Sequence, residues 1–354
     1  MTTSFRLMIL CMLMPGACGA AGAGRASLSS DAAMTQAANQ ILRHQVSDGA
    51  IVLGALPAPE SRVSPYFGNF AGLGLVTAYR ATHDPHYLAA AQRWCDWYEA
   101  HQNADGTVND YTGEADAWRS TGDYDATDSY AATYLDLVLA IYRAKADGAW
   151  MRAKYRSVTR AVAGIRLTLQ TSGLTIAKPT YPIMYTMDNV ETVQGLRAAA
   201  EIYRVAKDRA AATKAIALAR GMDAALTRDL WDPAHDCYLI GMQTDGYRFA
   251  ELKKWYPDVM ANLMAVGWRP RTERHRSLFA RLKAQFGGIL PATLRTEDDL
   301  EHLCWWGFAA RGAGDKALSL KITDRLCGFE AVLPSVSNPG LLGHLCRLLA
   351  QSKE

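Results

Sequence analysis

The segments Ala78-Tyr-Arg-Ala-Thr-His-Asp84, Ile141-Tyr-Arg-Ala-Lys-Ala-Asp147 and Ile202-Tyr-Arg-Val-Ala-Lys-Asp208 repeat one arrangement, and Ala310-Arg-Gly-Ala-Gly-Asp315 follows it more loosely. In each, an apolar helix ends near Arg, a short turn follows, and an Asp begins the next helix as N-cap or first-turn residue. There it meets free backbone N–H groups and the positive end of the helix dipole. A unit of this kind used at least four times is an αα-hairpin array, and such a repeat decides the architecture before any single element does.

The two helices of each hairpin differ in kind. After the turn the pattern is amphipathic: Tyr87, Ala91, Trp94 and Tyr98 in one helix, and Met151, Tyr155, Val158, Val162, Ile165 and Leu169 in another, whose other face carries Arg152, Lys154, Arg156 and Arg160. Before the turn the helices are apolar nearly all round. Val63 to Tyr79 and Val259 to Trp268 hold no charged residue, and Ser129 to Tyr142 holds only Asp136. Such helices are covered on all sides. Buried helices are predicted to begin near Pro65, Asp128, Asp188, Asp258, Asp298 and Asn338, with amphipathic partners between them. An open solenoid would want polar residues on its concave face, so the pattern predicts closure into a two-layered (α/α)6 toroid, all-α in class. Strand signal is confined to Cys237-Tyr-Leu-Ile and Leu174-Thr-Ile, read as short loop ribbons.

The chain has 354 residues, 49% hydrophobic and 21% charged, with a net charge of +3. That balance excludes disorder and gives the whole no strong attraction for nucleic acid or anionic membrane. Residues 1–23 join one Arg, the apolar run Leu7 to Met14 and small residues in Ala-x-Ala spacing, the make-up of a signal peptide. A secreted or periplasmic protein is expected, with no integral membrane segment after cleavage; Pro15 disfavours lipidation at Cys18. With no linker or composition shift, residues 27–354 read as a single toroid domain. Beyond the leader, Cys95, Cys237, Cys304, Cys327 and Cys346 stand singly, without zinc-site spacing, and are expected to be buried free thiols. No Gly-x-Ser-x-Gly elbow, phosphate-binding loop or dinucleotide fingerprint occurs, and no cofactor or metal is expected. Nothing in the sequence identifies a partner protein.

The connections are unequal. From buried to amphipathic helix the turn is short; the return uses Ser47 to Ser64, Asn103 to Thr127, Ser172 to Met187, Asp229 to Trp255 and Gly328 to Ser337. All the long connections fall on one rim, above the N-termini of the buried helices, and long irregular connections usually carry function. Asp125, Asp128, Asp188, Glu191 and Asp258 would meet there. Asn103 to Asp128 alone holds seven acidic residues against Arg119. Crowded carboxyls raise each other's pKa, and glycoside cleavage needs one protonated carboxyl beside an ionised one. Tyr66, Trp118, Tyr124, Tyr130, Tyr185, Trp255, Tyr256, Trp305 and Trp306 lie in or beside the rim segments, with flat faces suited to sugar rings; Trp306 is the first assigned to core. Capping competes with chemistry, because Asp188 and Glu191 have capping-box spacing. Asp123-x-Asp125-x-x-Asp128 could collect calcium but lacks the glycine and terminal Glu of an EF-hand. His302 and His344 read as core histidines.

Through Ser64-Pro-Tyr-Phe-Gly-Asn69, Asp125-Ala-Thr-Asp-Ser-Tyr-Ala-Ala-Thr-Tyr134, Met187-Asp-Asn-Val-Glu191 and Trp255-Tyr-Pro-Asp258, the sequence resembles the six-hairpin glycosidase superfamily. The resemblance implies a glycoside hydrolase acting on a polysaccharide or oligosaccharide. Asp128 and Asp188 are the expected carboxylate pair, with Asp125 as a further catalytic candidate. Tyr66, Asn69, Tyr124, Tyr130, Asn189, Glu191, Trp255, Tyr256 and Asp258 are expected to bind the glycan. Met187-Asp-Asn is similar to the corresponding segment of unsaturated glucuronyl hydrolases, but Val190-Glu191 departs from it. An acidic rim suits a uronic acid poorly unless Arg119, Lys178 or Arg248 answers it, so a neutral glycan is expected. A lyase or epimerase, or a non-catalytic glycan-binding protein, would use the same fold.

Overall fold

The computed structural model describes residues 28–54, 61–246, 248–249 and 252–350; the expected leader over 1–23 lies outside them. Thirteen helices among these residues make two concentric layers. The inner ring is α2 (Pro65–Thr82), α4 (Thr127–Lys145), α7 (Thr186–Val205), α9 (Met260–Trp268), α11 (Glu297–Ala313) and α13 (Pro339–Ala350). Each packs on the next, and α13 returns to α2. Outside lie α1 (Ser30–His44), α3 (Pro85–Ala100), α5 (Gly148–Ala153) with α6 (Tyr155–Thr168), α8 (Arg209–Asp229), α10 (Glu273–Phe286) and α12 (Lys316–Leu326). This is the (α/α)6 toroid that the sequence predicts. No described helix is long and apolar enough to cross a membrane.

The repeated Asp residues are caps. Asp84, Asp147, Asp208 and Asp315 each accept a hydrogen bond from the first turn of α3, α5, α8 and α12. Between the layers, Tyr98 of α3 stacks on Tyr134 of α4 with centroids 4.0 Å apart, and Trp306 packs on Phe279 of α10. All five cysteines of the described chain are buried and free.

Glycine sets the ring's tightest crossings. A Cβ on Gly74 of α2 would lie 2.5 Å from Gly343 Cα of α13, and one on Gly195 of α7 would lie 2.5 Å from Ala132 Cα of α4. Only hydrogen fits there, so these backbones touch. Below the mouth, the His344 ring packs on Phe70 at 4.3 Å and Trp305 at 5.1 Å, filling the lumen with buried side chains.

The long connections gather at the N-terminal mouth. β1 (Ser61–Val63), β2 (Tyr111–Gly113) and β3 (Arg119–Ser120) form one small sheet there. A second comprises β4 (Ile183–Tyr185), β7 (Gly241–Gln243) and β8 (Arg248–Phe249), and β5 (Trp231–Asp232) pairs with β6 (Cys237–Tyr238). The Cys237 segment is thus a loop ribbon as expected.

Candidate active site

The inner helices α2, α4, α7 and α9 start without a side-chain cap; their N-cap positions are Ser64, Ala126, Tyr185 and Val259. Asp128 and Asp188 therefore sit inside the first turn, and the capping-box reading of Asp188 with Glu191 fails. The capping box that does form is Thr296 with Asp299 on α11. Uncapped first turns leave N–H groups and the positive helix ends directed at the mouth, which favours acidic groups and hydroxyl acceptors there.

Three carboxyls cluster where α4 and α7 meet. Asp188 is half-buried, while Asp128 is 0% exposed and Glu191 is buried. The Tyr66 hydroxyl donates to Glu191 Oε1 at 2.7 Å. Asp128 Oδ1 accepts from the Ser129 amide at 2.9 Å, and its Oδ2 is buried without a partner. Burial drives the Asp188 pKa far above the usual carboxylate range, and the charges of Asp128 and Asp125 add to this. Asp128 is pushed up to about 7, chiefly by burial, with Glu191 adding and the Thr175 hydroxyl opposing. Glu191 is raised by burial and then by Asp188. The Ser129 hydroxyl lowers both Asp188 and Glu191 by its proximity, although it makes no hydrogen bond of good geometry. The cluster carries fewer than three negative charges at neutral pH, and its retained proton belongs to the group as a whole.

Around this cluster the mouth is aromatic. Tyr66, Tyr181, Tyr185 and Tyr256 all lie close enough to Asp188 for its charge to raise their pKa values, behind the larger effect of burial. Tyr256 is 44% exposed. Trp255 donates from Nε1 to Glu301 at 3.3 Å and lies 4.0 Å from the His302 ring. Asp125 is open to solvent yet ringed by protein, as in a concave mouth. Its pKa is raised by burial and by Asp110, while Lys178 pulls it down. Lys178 donates to Asp123 Oδ1 and to the Tyr124 carbonyl, both at 2.5 Å, and lies over the Tyr124 ring.

Several expected ligand contacts are corrected. Asn69 is 0% exposed and spends its amide on Tyr130 O, Thr133 Oγ1 and the Trp94 indole. Asn189, equally buried, clamps Thr175 and Tyr185. Neither has surface to offer a sugar. Tyr130 is buried with its hydroxyl donating to Asp110 at 2.8 Å. Asp258 is buried and accepts from the Lys253 and Lys254 amides at 2.7 and 3.2 Å, so it fastens the loop before α9. Trp118 leaves the mouth altogether, donating to Asp48 at 2.7 Å beside an outer depression of about 380 Å³ on α3. Trp305 is buried in the lumen. The calcium reading falls with the dispersal of Asp123 to Lys178 and of Asp128 to the interior. His344 is core, as expected, but His302 is half-buried at the mouth.

Tyr181, Glu301 and Ser129 join the site without having been singled out. Tyr181 lies in a long connection, which was the available signal. Glu301 stands five residues into α11 and was masked by the neighbouring Asp298 at the predicted helix start.

No protein-family model and no curated protein sequence matches the chain. Its fold, however, matches many solved structures. The mannosylglycerate hydrolase of Thermus thermophilus superposes with a TM-score of 0.64 at 13% identity, over 90% of this chain and 99% of that one. An alpha-amylase of Clostridium perfringens gives 0.61 at 10% identity, over 91% and 98%. An alpha-1,6-mannanase of Salegentibacter gives 0.59 at 10% identity, over 92% and 99%. The chain has the six-hairpin (α/α)6 fold that these glycoside hydrolases share. Identities of this size carry the architecture and nothing finer.

Proposed function

We propose that this chain hydrolyses a glycosidic bond of an oligosaccharide or polysaccharide seated in the mouth of the toroid. The observation that carries the reading is Asp188: a carboxyl facing the cleft whose proton is retained by burial and by two neighbouring carboxyls. A general acid needs that combination of access and raised pKa. Asp188 donates the proton to the leaving oxygen. Asp125, the carboxyl more open to water and the one drawn down by Lys178, takes the ionised role. Asp128, with no exposed surface, acts through Asp188 as a positioning residue whose charge helps keep the proton there. Tyr66, Tyr185, Tyr256 and Trp255 supply faces for the sugar rings.

The reading is supported by the neighbours that share the fold, a mannosylglycerate hydrolase, an alpha-amylase and an alpha-1,6-mannanase held with alpha-1,6-mannotriose. The leader-like residues 1–23 support work outside the cytoplasm, in the periplasm or after secretion.

The test is reducing-end release by the mature protein across a polysaccharide panel, beside Asp188→Asn, Asp125→Asn and Asp128→Asn variants with native circular dichroism. Cleavage that falls about a hundredfold or more in Asp188→Asn is expected. Loss of similar size in Asp125→Asn, with a smaller loss and a shifted pH profile in Asp128→Asn, assigns the roles. Folded variants that cut as well as the wild type would sink the assignment, and unsaturated, ultraviolet-absorbing products would make the chain a lyase.

A further inference from the structure

The cleft carboxyls lack a cation in direct contact; the nearest ones, Lys178 for Asp125 and Arg347 for Glu191, act at longer range. Among the described residues, none of Asp125, Asp128, Asp188, Glu191 and Glu301 forms an ion pair with Lys, Arg or His, whereas their neighbours Asp110 and Asp123 are paired with Arg62 at 3.2 Å and Lys178 at 2.5 Å. The two loop carboxylates beside the cleft are thus paired with the chain's own cations, and those in the cleft feel cations only at a distance.

The cluster is short of well-aligned donors. Asp128 Oδ2 is fully buried with no hydrogen bond of good geometry, and the hydroxyls of Thr175 beside Asp128 and of Ser129 between Asp188 and Glu191 act on the carboxyls without a well-aligned bond to any of them. Unpartnered buried acceptors are costly, and native sites that keep them usually meet them with a ligand or water. Tyr66, the one side-chain donor on Glu191 with good geometry, is spent on Oε1. Around these acceptors stand the tyrosines, whose ring faces attract cations. A uronic acid would add a negative charge to this cluster, and a neutral hydroxyl would leave the charge where it is. An ammonium supplies three donors and a positive charge in direct contact together.

We propose that the cleft recognises a sugar bearing a free amino group, a unit of a glycan that is wholly or partly de-N-acetylated, with its ammonium among Asp188, Asp125 and Glu301. This narrows the neutral glycan expected from the sequence and rests on the reading of the mouth as a glycan site. Binding of the amine places positive charge beside the cluster and favours ionisation of Asp125 and Glu301, while Asp188 retains the proton needed for cleavage.

Binding to the mature protein is measured by saturation-transfer NMR titration at pH 7 and low salt, using glucosamine, galactosamine and mannosamine beside their parent hexoses and N-acetyl derivatives. At least one amino hexose is expected to bind about tenfold or more tightly than both counterparts. The preference is expected to shrink in high salt and to vanish in the Asp125→Asn/Glu301→Gln double variant. Should that variant misfold, each single variant reports a partial loss. Equal or tighter binding of the parent hexoses, no binding of any amino hexose, or a preference undiminished in the folded variants overturns the inference. Cleavage is not read here. Hydrolysis of neutral glycans without amine preference would refute the inference and leave the hydrolase intact; amine-selective binding with no glycan cleaved would do the reverse.

Discussion

Asp188 and Asn189 are chain neighbours with opposite fates. One residue along a helix turns a side chain by about 100°, so Asp188 meets the mouth while Asn189 clamps the Thr175 backbone. The sequence marks where α7 enters the site but not which of its first residues faces the lumen. Asn69 and Asp258 were misassigned for the same reason. Asp128 carries the sharpest prediction at this scale. Its pKa rises from 3.8 in the unfolded chain to about 7 in the fold, so the folded form is favoured while the group is protonated, and stability is lost as pH climbs through that window. Asp128→Asn keeps an acceptor for the Ser129 amide and removes the buried charge. It is expected to be more stable than the wild type at pH 8, by on the order of 1–4 kcal/mol, with the gap narrowing as pH falls towards 4. Thermal melts across that range check it; a gap that widens towards acid would contradict the assignment.

Caps set most outer helices apart from the four inner helices that meet the site, with inner α11 capped by Thr296 and outer α6 uncapped. The outer helices α1, α3, α5, α8, α10 and α12 begin at a Ser, Asp or Thr that accepts from their own first turn, and the inner helices α2, α4, α7 and α9 do not. Stability sits on the hairpin turns, and the uncapped ends sit where a ligand can use them. Asp84→Ala is expected to destabilise through loss of the α3 cap. Asp208→Ala is expected to cost more, because Asp208 also accepts from the Tyr155 hydroxyl at 2.6 Å. Denaturant unfolding of the two variants ranks them, with glycan cleavage unchanged in both. The hairpins were legible because apolar helix, Arg, turn and Asp recur as a local pattern. The mouth sheets were not, since β4 joins β7 and β1 joins β2 across long separations with strands too short to show alternation.

At the scale of the molecule, the ring was legible from the near absence of charge on its inner helices. Its exact closure was not, because a glycine in a helix reads only as a weak helix former. Gly74 meets Gly343 where α2 and α13 cross, and Gly74→Ala is expected to destabilise by about 1–3 kcal/mol through overpacking. Gly221 of α8 has open space around its Cβ position, so Gly221→Ala is expected to stabilise by about 0.4–1 kcal/mol. Chemical denaturation of both variants separates a packing glycine from a merely permitted one.

The same crossing governs how the ring is made. It unites the first inner helix with the last, so on a chain emerging from its N-terminus α2 must wait, one flank bare, until α13 arrives. Contacts of such sequence separation form late. A chain cut before α13 is an arc with two unsatisfied ends, and a second arc offers each end the neighbour it lacks. Loss of the final helix therefore converts an intramolecular joint into an intermolecular one, with exchange of hairpins between copies as the failure to look for.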